Sequence, residues 1–221
     1  MSGVDRANLL RFDMTEDIGR HPQWLDVSPQ TSANLEKFLD LVIKWNATIN
    51  LISNASVRQA WLRHILDSAQ LWPIASVTEG TWLDIGSGGG FPGLVIALMA
   101  QELAPEMRVV LVESDRRKAV FLKEAIRQLD VAVDVRCGRI ENLPALGASV
   151  ISARALAPLS ELLPLAFPHL APDGIIVLPK GQGYRAELEK CQIDWKIKPE
   201  TIPSKTSDDG VILRIRSRHH G

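Results

Sequence analysis

The 221-residue sequence predicts a doubly wound α/β fold with a helical N-terminal cap and a C-terminal antiparallel hairpin. Three features carry that expectation. Strand-like and helix-like segments alternate from residue 81 onward, which implies a mostly parallel sheet with helices on both faces. Glycines crowd the turn after the first of those strands. Upstream, apolar residues recur at helical spacing.

Taken in order, Ser28-Pro29 reads as an N-cap followed by proline at the first helical position. Leu35, Phe38, Leu39, Val42 and Trp45 then form one apolar stripe. A second helix is expected over "VRQAWLRHILDSAQLW", with Trp61, Ile65, Ala69 and Trp72 at near-helical steps. It should stop by Leu71 or Trp72, since a residue before proline disfavours the helical region. "TWLDI" reads as a strand and "FPGLVIALMAQEL" as a helix with Pro92 near its start. "MRVVLVE" is a strand, and "SDRRKAVFLKEAIRQLD" a helix that Ser114 is placed to cap, with Leu122, Ile126 and Leu129 on one face. "VAVDVRC" and "SVISA" are strands, "LSELLPLAF" a helix and "GIIVLP" a fifth strand. "QIDWKIKPE" and "GVILRIR" read as two strands closing the sheet edge. The expected division is an N-terminal helical extension over 1–75 and one compact α/β unit over 76–221.

Composition narrows the function classes. With 46% hydrophobic and 23% charged residues the chain is globular, not disordered. Cys137 and Cys191 stand far apart in no metal-like spacing, so neither a zinc site nor a disulfide framework is expected, and a reducing cytoplasm fits. The N-terminal stretch lacks the apolar core of a signal peptide. The longest apolar run, Leu94 to Ala100, is too short to span a bilayer. A net charge of −1 offers no overall pull toward nucleic acid, so any RNA contact must use a local basic patch.

The segment "LDIGSGGGFPG" (83–93) admits two ligands. Gly88, Gly90 and Gly93 spell G-x-G-x-x-G, with Glu113 about 20 residues on, as in a dinucleotide site. Counted from Gly86, which directly follows the strand, the pattern instead puts Phe91 where that fold packs a glycine. The other ligand is S-adenosylmethionine, which carries a sulfonium, an ammonium and a ribose but no phosphate. Asp84 ends the first strand, where an acid suits the cationic methionine end. Glu113 ends the second, where it can accept both ribose hydroxyls. Glycines at Gly86 and Gly88 let the backbone approach the ligand. A carboxylate in a strand is costly to bury without a partner, so Asp84 asks for a cation or a structural pair.

The ordered set "WNATINLIS" (45–53), "RHILDS" (63–68), "DIGSGGGFPG" (84–93), "RKAVFL" (117–122), "GRIENL" (138–143), "SARA" (152–155) and "LPKG" (178–181) resembles the RsmG (glucose-inhibited division protein B) family, bacterial 16S rRNA guanine-N7 methyltransferases. The resemblance covers nearly the whole chain from Trp45. One departure is Ala153 between Ser152 and Arg154, where many relatives run serine directly into arginine; the place of Ser152 is open, while Arg154-Ala155 keeps its own. The resemblance implies a Rossmann-like class I methyltransferase sheet, S-adenosylmethionine as donor, no metal, and 16S rRNA or the 30S subunit as partner. Its donor-contacting positions fall on Gly86, Phe91, Ile140, Glu141 and Arg154. Arg139 and Arg154 are candidates for the donor carboxylate or an RNA phosphate, against the plain alternative of an ion pair with Asp84 or Glu141.

Guanine N7 carries a lone pair and no proton, so its methylation needs no general base and rests on proximity and orientation. The turn "SARALAPL" lacks the Asn/Asp-Pro-Pro-aromatic pattern of exocyclic-amine methylation. Neither cysteine looks like the nucleophile that pyrimidine C5 methylation requires. RNA-contact candidates are Arg63, His64 and Lys180, with Arg58, the 116–118 run and the tail residues Arg214, Arg216 and Arg218 as further cations, each open to being a solvated face. Two rival functions are a nicotinamide-dependent oxidoreductase, for which the single tyrosine, Tyr184, has no lysine at a suggestive spacing, and a non-catalytic ribosome-assembly factor.

Overall fold

The computed structural model describes residues 21–195 and 197–216. Arg218, His219, His220 and the first 20 residues lie outside them. A seven-stranded sheet runs in the order β3-β2-β1-β4-β5-β7-β6. Its strands are β1 (Thr81–Ile85), β2 (Arg108–Glu113), β3 (Val133–Cys137), β4 (Ala148–Ser152), β5 (Leu170–Lys180), β6 (Glu200–Pro203) and β7 (Val211–Arg216). The first five are parallel to one another, and β7 runs antiparallel to both β5 and β6. The chain order reverses between β1 and β4, so the switch point of the sheet, where ligands of such folds bind, lies beyond Ile85.

Strand alternation sorts the core into two layers. Trp82, Val109, Leu111, Val150, Ile175, Val177 and Ile212 face one side. There they pack with α1 (Pro29–Asn46), α4 (Gly93–Leu103) and α5 (Arg116–Leu129). Leu83, Ile85, Val110, Val112, Ile151, Ile176 and Leu213 face the other, against α6 (Leu159–Ala166) and α7 (Tyr184–Trp195). Helix α4 is buried all along Gly93 to Ala100, because α1 and the short α2 (Asp67–Ala69) cover the side away from the sheet. A helix apolar on every face needs such a cover, and the N-terminal segment supplies it.

Several boundaries differ from the sequence reading for local reasons. Ser28 caps α1 as expected, its hydroxyl accepting from Thr31 N at 3.2 Å. The second helix is not continuous: a 3-10 turn (Asn54–Gln59), a π-helical turn (Trp61–Leu66), α2 and α3 (Leu71–Ala75) follow one another. Chain continues through Pro73 rather than stopping before it. Pro73 sits in the first turn of α3, where a missing N–H costs nothing, and the helix ends at Ser76 in the left-handed region (φ 52°). Asp115, not Ser114, caps α5, accepting from Arg117 N at 2.8 Å and Lys118 N at 3.2 Å. The segment expected as a strand from Gln192 belongs to α7 up to Trp195, and the edge strand is the short β6. Tyr184, Leu188 and Cys191, at helical spacing and packed on the second core layer, are the stripe that reading passed over.

Gly93 opens α4 directly over β1. A Cβ there would stand 2.7 Å from Asp84 Cβ and press on the Leu111 side chain. Gly93→Ala should therefore lower unfolding stability by about 1–3 kcal/mol, the usual cost of overpacking a close-packed site. Urea unfolding of the two proteins measures it.

Candidate functional site

The loop after β1 is pinned to β2. Gly86 N and Ser87 N both donate to Val112 O, at 2.8 and 3.1 Å. Gly90 N and Phe91 N close the turn onto Ser87 O. Gly86 (φ 71°) and Gly88 (φ 55°) sit in the left-handed region that glycine alone adopts without strain. Open space surrounds Gly88, where an added Cβ would meet nothing nearer than Gly86 O at 3.8 Å.

Two carboxylates grip this loop from opposite sides. Glu113 Oε2 accepts from Gly88 N and Oε1 from Asp115 N, both at 2.7 Å. Asp84 lies beneath, fully buried. Its Oδ1 accepts from Ser152 Oγ at 2.7 Å and its Oδ2 from Gly93 N at 3.1 Å. Trp82 Nε1 in turn donates to Ser152 Oγ at 2.9 Å. Burial raises the Asp84 pKa to about 6, against the Ser152, Ser87 and Gly93 hydrogen bonds and the charge of Arg154, which pull it back. The sequence reading put Asp84 against the ligand's cationic end. Instead its carboxylate is out of a ligand's reach, holding the start of α4 and the end of β4, so it acts on a ligand only through the loop.

Phe91 is also beneath the surface. Its ring lies 5.1 Å from those of Phe38 and His64, with the Arg154 guanidinium 5.0 Å from its centroid. Any donor contact at this position falls to the backbone, not the ring. Ile140 is buried in a 3-10 turn after β3, and Gly138 N in the same loop donates to Glu113 O at 2.9 Å. Gly86, Gly88, Glu113 and Ile140 thus share the carboxyl edge of β1, β2 and β3. Glu141 is exposed and stands 3.9 Å from Arg139.

Arg154 points to the N-terminal segment. Its Nη1 donates to Arg63 O at 2.8 Å and lies 3.5 Å from Asp67 Oδ2, and its Nη2 donates to His64 Nδ1 at 2.8 Å. Since arginine only donates, His64 Nδ1 is the acceptor and the Nε2–H faces Ser56 Oγ at 2.9 Å. Burial, then the charges of Arg154 and Arg63, push the His64 pKa down to about 3. Asp67 Oδ1 continues the network to Gln70 Nε2 (2.9 Å) and Thr206 Oγ1 (2.9 Å), tying in the β6–β7 loop. The sequence reading missed Asp67, Gln70 and Thr206; only "RHILDS" held a sign of Asp67.

A cleft of about 880 Å³ opens beside the glycine loop. The 53–67 segment, the turn after β4 and the β6–β7 loop form its walls. Arg63, one of the RNA-contact candidates, is exposed on it. His64 is instead an internal link, with both ring nitrogens engaged. Lys180 also lines the cleft, but its side chain is only 12% exposed and bonds Glu187 Oε2 at 2.8 Å. The same oxygen accepts from Leu159 N, so Lys180 and Glu187 together secure the start of α6. Arg214 likewise pairs with Glu200 at 3.4 Å, while Arg216 is exposed.

Residues 31–211 match the family model described as GidB, rRNA small subunit methyltransferase G. A ribosomal RNA small subunit methyltransferase G of Cereibacter sphaeroides is 51% identical over 207 residues, spanning 94% of this chain and 100% of that protein. Its counterpart in Paramagnetospirillum magneticum is 45% identical over 195 residues, 88% of this chain and 93% of that protein. Among solved structures, a SAM-dependent methyltransferase of Aquifex aeolicus superposes with a TM-score of 0.59 at 13% identity, covering 81% of this chain and 98% of that one. An O-methyltransferase of Bacillus cereus in complex with SAH gives 0.56 at 19% identity, covering 83% and 90%. At such identities these two structures speak to the fold alone.

The two shifted groups act on stability in opposite senses. The folded His64 pKa lies below its ordinary 6.5, so its contribution is complete above pH 6.5 and is lost as pH falls toward 3. The folded Asp84 pKa lies above its ordinary 3.8, so its contribution is present below 3.8 and is lost as pH rises through 6. NMR of the imidazole protons should show no His64 titration between about pH 8 and 5. His64→Gln should flatten the acid-side fall in urea stability.

Proposed function

The chain belongs to the rRNA small subunit methyltransferase G family, and on that premise we propose that it transfers a methyl group from S-adenosyl-L-methionine to N7 of a guanine in 16S rRNA. The observation that carries the donor assignment is the pairing of Glu113 with the open Gly88. Each Glu113 oxygen spends one lone pair on a backbone N–H and keeps another for a ribose hydroxyl. The space at Gly88 leaves room for a ligand against the loop. Glu113 beside the loop favours ribose hydroxyls and a cationic ligand over a pyrophosphate, which counts against a nicotinamide dinucleotide. On this reading Gly86, Gly88 and the Phe91 backbone hold the methionine end, Glu113 the ribose, and Ile140 and Glu141 the adenine side. Asp84 fixes the loop's position from below.

The donor supplies a methyl carried on a positively charged sulfur. Guanine N7 attacks with its own lone pair: the N7–carbon bond forms as the carbon–sulfur bond breaks, and that electron pair stays on sulfur. No proton moves, so no side chain is needed as a base. His64 fits this account, since its ring is bonded at both nitrogens and holds Arg154 instead of facing a substrate proton. The chain's task is to bring N7 in line with the methyl. No metal is required by that chemistry.

On this reading the α/β unit from residue 76 carries the donor, and the 53–67 segment of the N-terminal extension supplies a wall for the acceptor. Arg63 meets the RNA backbone at the mouth of the cleft, and Arg154 joins the two halves. The acceptor is 16S rRNA, alone or in the 30S subunit, met in the cytoplasm and away from membranes; no described helix is long and apolar enough to cross one.

Glu113→Ala should weaken S-adenosylmethionine binding about 10- to 100-fold, as expected when hydrogen bonds to a charged group worth about 1.5–3 kcal/mol are removed. Gly86→Val should abolish it, because a Cβ at Gly86 stands 2.7 Å from Leu156 Cδ1 and the φ of 71° disfavours any side chain. Calorimetry gives both affinities. Labelled donor incubated with 16S RNA or 30S particles from cells lacking the gene should yield 7-methylguanosine at one site after digestion and mass spectrometry. Donor binding without transfer to any RNA would leave the fold and overturn the acceptor.

A further inference from the structure

Leu156 is one of two large apolar side chains left strongly exposed among the described residues, at 41%. It follows Ala155, whose φ of 51° lies in the left-handed region that alanine rarely adopts. Such backbone persists where its surroundings hold it in place. Here Arg154, one residue earlier, is anchored on Arg63, His64 and Asp67. The turn therefore throws the Leu156 side chain against Gly86, with Cδ1, Cδ2 and Cγ all within 3.3 Å of where a Gly86 Cβ would stand.

That placement puts Leu156 on the border between two compartments. One side is the glycine loop with Glu113. On the other, Leu156 lines the 880 Å³ cleft, whose lining includes neither the glycine loop, Glu113 nor Ile140. Across the cleft the wall changes character. Leu156, Ala157 and Pro158 give it an apolar part, and Ser53, Gln59 and the exposed Arg63 give its lining polar groups as well. A nucleobase has that character, apolar on its faces and polar around its edge. The volume falls in the range of about 300–1,000 Å³ typical of small-molecule sites.

Resting on the methyltransferase reading above, we propose that the cleft receives the acceptor guanosine swung out of the RNA, and that the face of the guanine lies on Leu156. The base is then held beside Gly86 with its N7 edge toward the donor. This gives the N-terminal segment a share in the reaction, as the far wall of the acceptor site. An exposed leucine at the junction of the two compartments is explained as a contact surface for substrate.

The test compares the unaltered protein with Leu156→Ala, Leu156→Ser and Leu156→Met. Donor affinity is measured by calorimetry, and kcat/KM on undermethylated 30S particles. Ala and Ser should lower kcat/KM about 10- to 100-fold, the cost of a misplaced reacting atom. They should leave donor Kd and thermal unfolding unchanged, and Met should restore most of the rate. Unchanged transfer in the Ala variant would overturn the assignment, as would a parallel loss of donor affinity, which would place Leu156 in the donor site. A loss that tracks a fall in unfolding temperature would make its role structural. Absence of 7-methylguanosine with the unaltered protein would instead remove the function itself, and this assignment with it.

Discussion

Glu113 holds the glycine loop by its backbone. At 2.7 Å its carboxylate takes the N–H of Gly88, and with its other oxygen the N–H of Asp115, so one side chain joins the end of β2, the loop after β1 and the start of α5. Charge-assisted hydrogen bonds of this kind are about twice as strong as neutral ones. The clamp adds to the backbone bonds of Gly86 and Ser87 to Val112 O, and it matters because glycines at 86, 88, 89 and 90 lose the most conformational freedom on ordering. Asp84 completes the grip from beneath through Gly93 and Ser152. On the proposed function the loop meets the donor already in shape, which lowers the ordering cost of binding.

The second half of the site depends on Arg154. Its guanidinium sits on the Phe91 ring, and its hydrogen bonds run to Arg63 O and His64, with Asp67 close by. A neutral His64 is a condition of this arrangement, because a protonated ring would offer Arg154 a donor instead of an acceptor. The depressed His64 pKa and the Arg154 contact support one another. From Asp67 the same network reaches Gln70, Thr206 and Ser204, so the β6–β7 loop is fastened to the N-terminal segment. The cleft's walls come from three distant parts of the sequence and meet through these polar bonds.

Much of the fold was legible because its signals are local. The alternation of short apolar segments with helical patterns placed the five parallel strands and the helices α1, α4, α5 and α6, and the Ser28-Pro29 cap stands where expected. Errors arose where tertiary contacts outweigh propensity. Pro73 is a stop by local rule, yet it sits where no N–H is needed. Ser114 fits a cap by type, but its neighbour Asp115 provides it. The strand expected from Gln192 falls on the last turn of α7, whose stripe of Tyr184, Leu188 and Cys191 lies before it and is interrupted by charge. The positions of Gly86, Gly88 and Glu113 at the ends of β1 and β2 are legible in the sequence. The burial of Asp84 and Phe91, the pairing of Lys180 with Glu187 and the anchoring of Arg154 are not. Each depends on a partner between 7 and 91 residues away in the sequence, for which a single chain gives no sign.

The most direct test of the central claim, that the clamped glycine loop is the donor cradle, is a crystal structure with S-adenosylhomocysteine bound. The account predicts ribose hydroxyls on Glu113, the adenine beside Ile140, and the thioether sulfur near Gly86, pointing past Leu156 toward the cleft. Adenosine found inside the cleft between Ser56 and Leu156, with Glu113 still bonded only to Gly88 and Asp115, would contradict it.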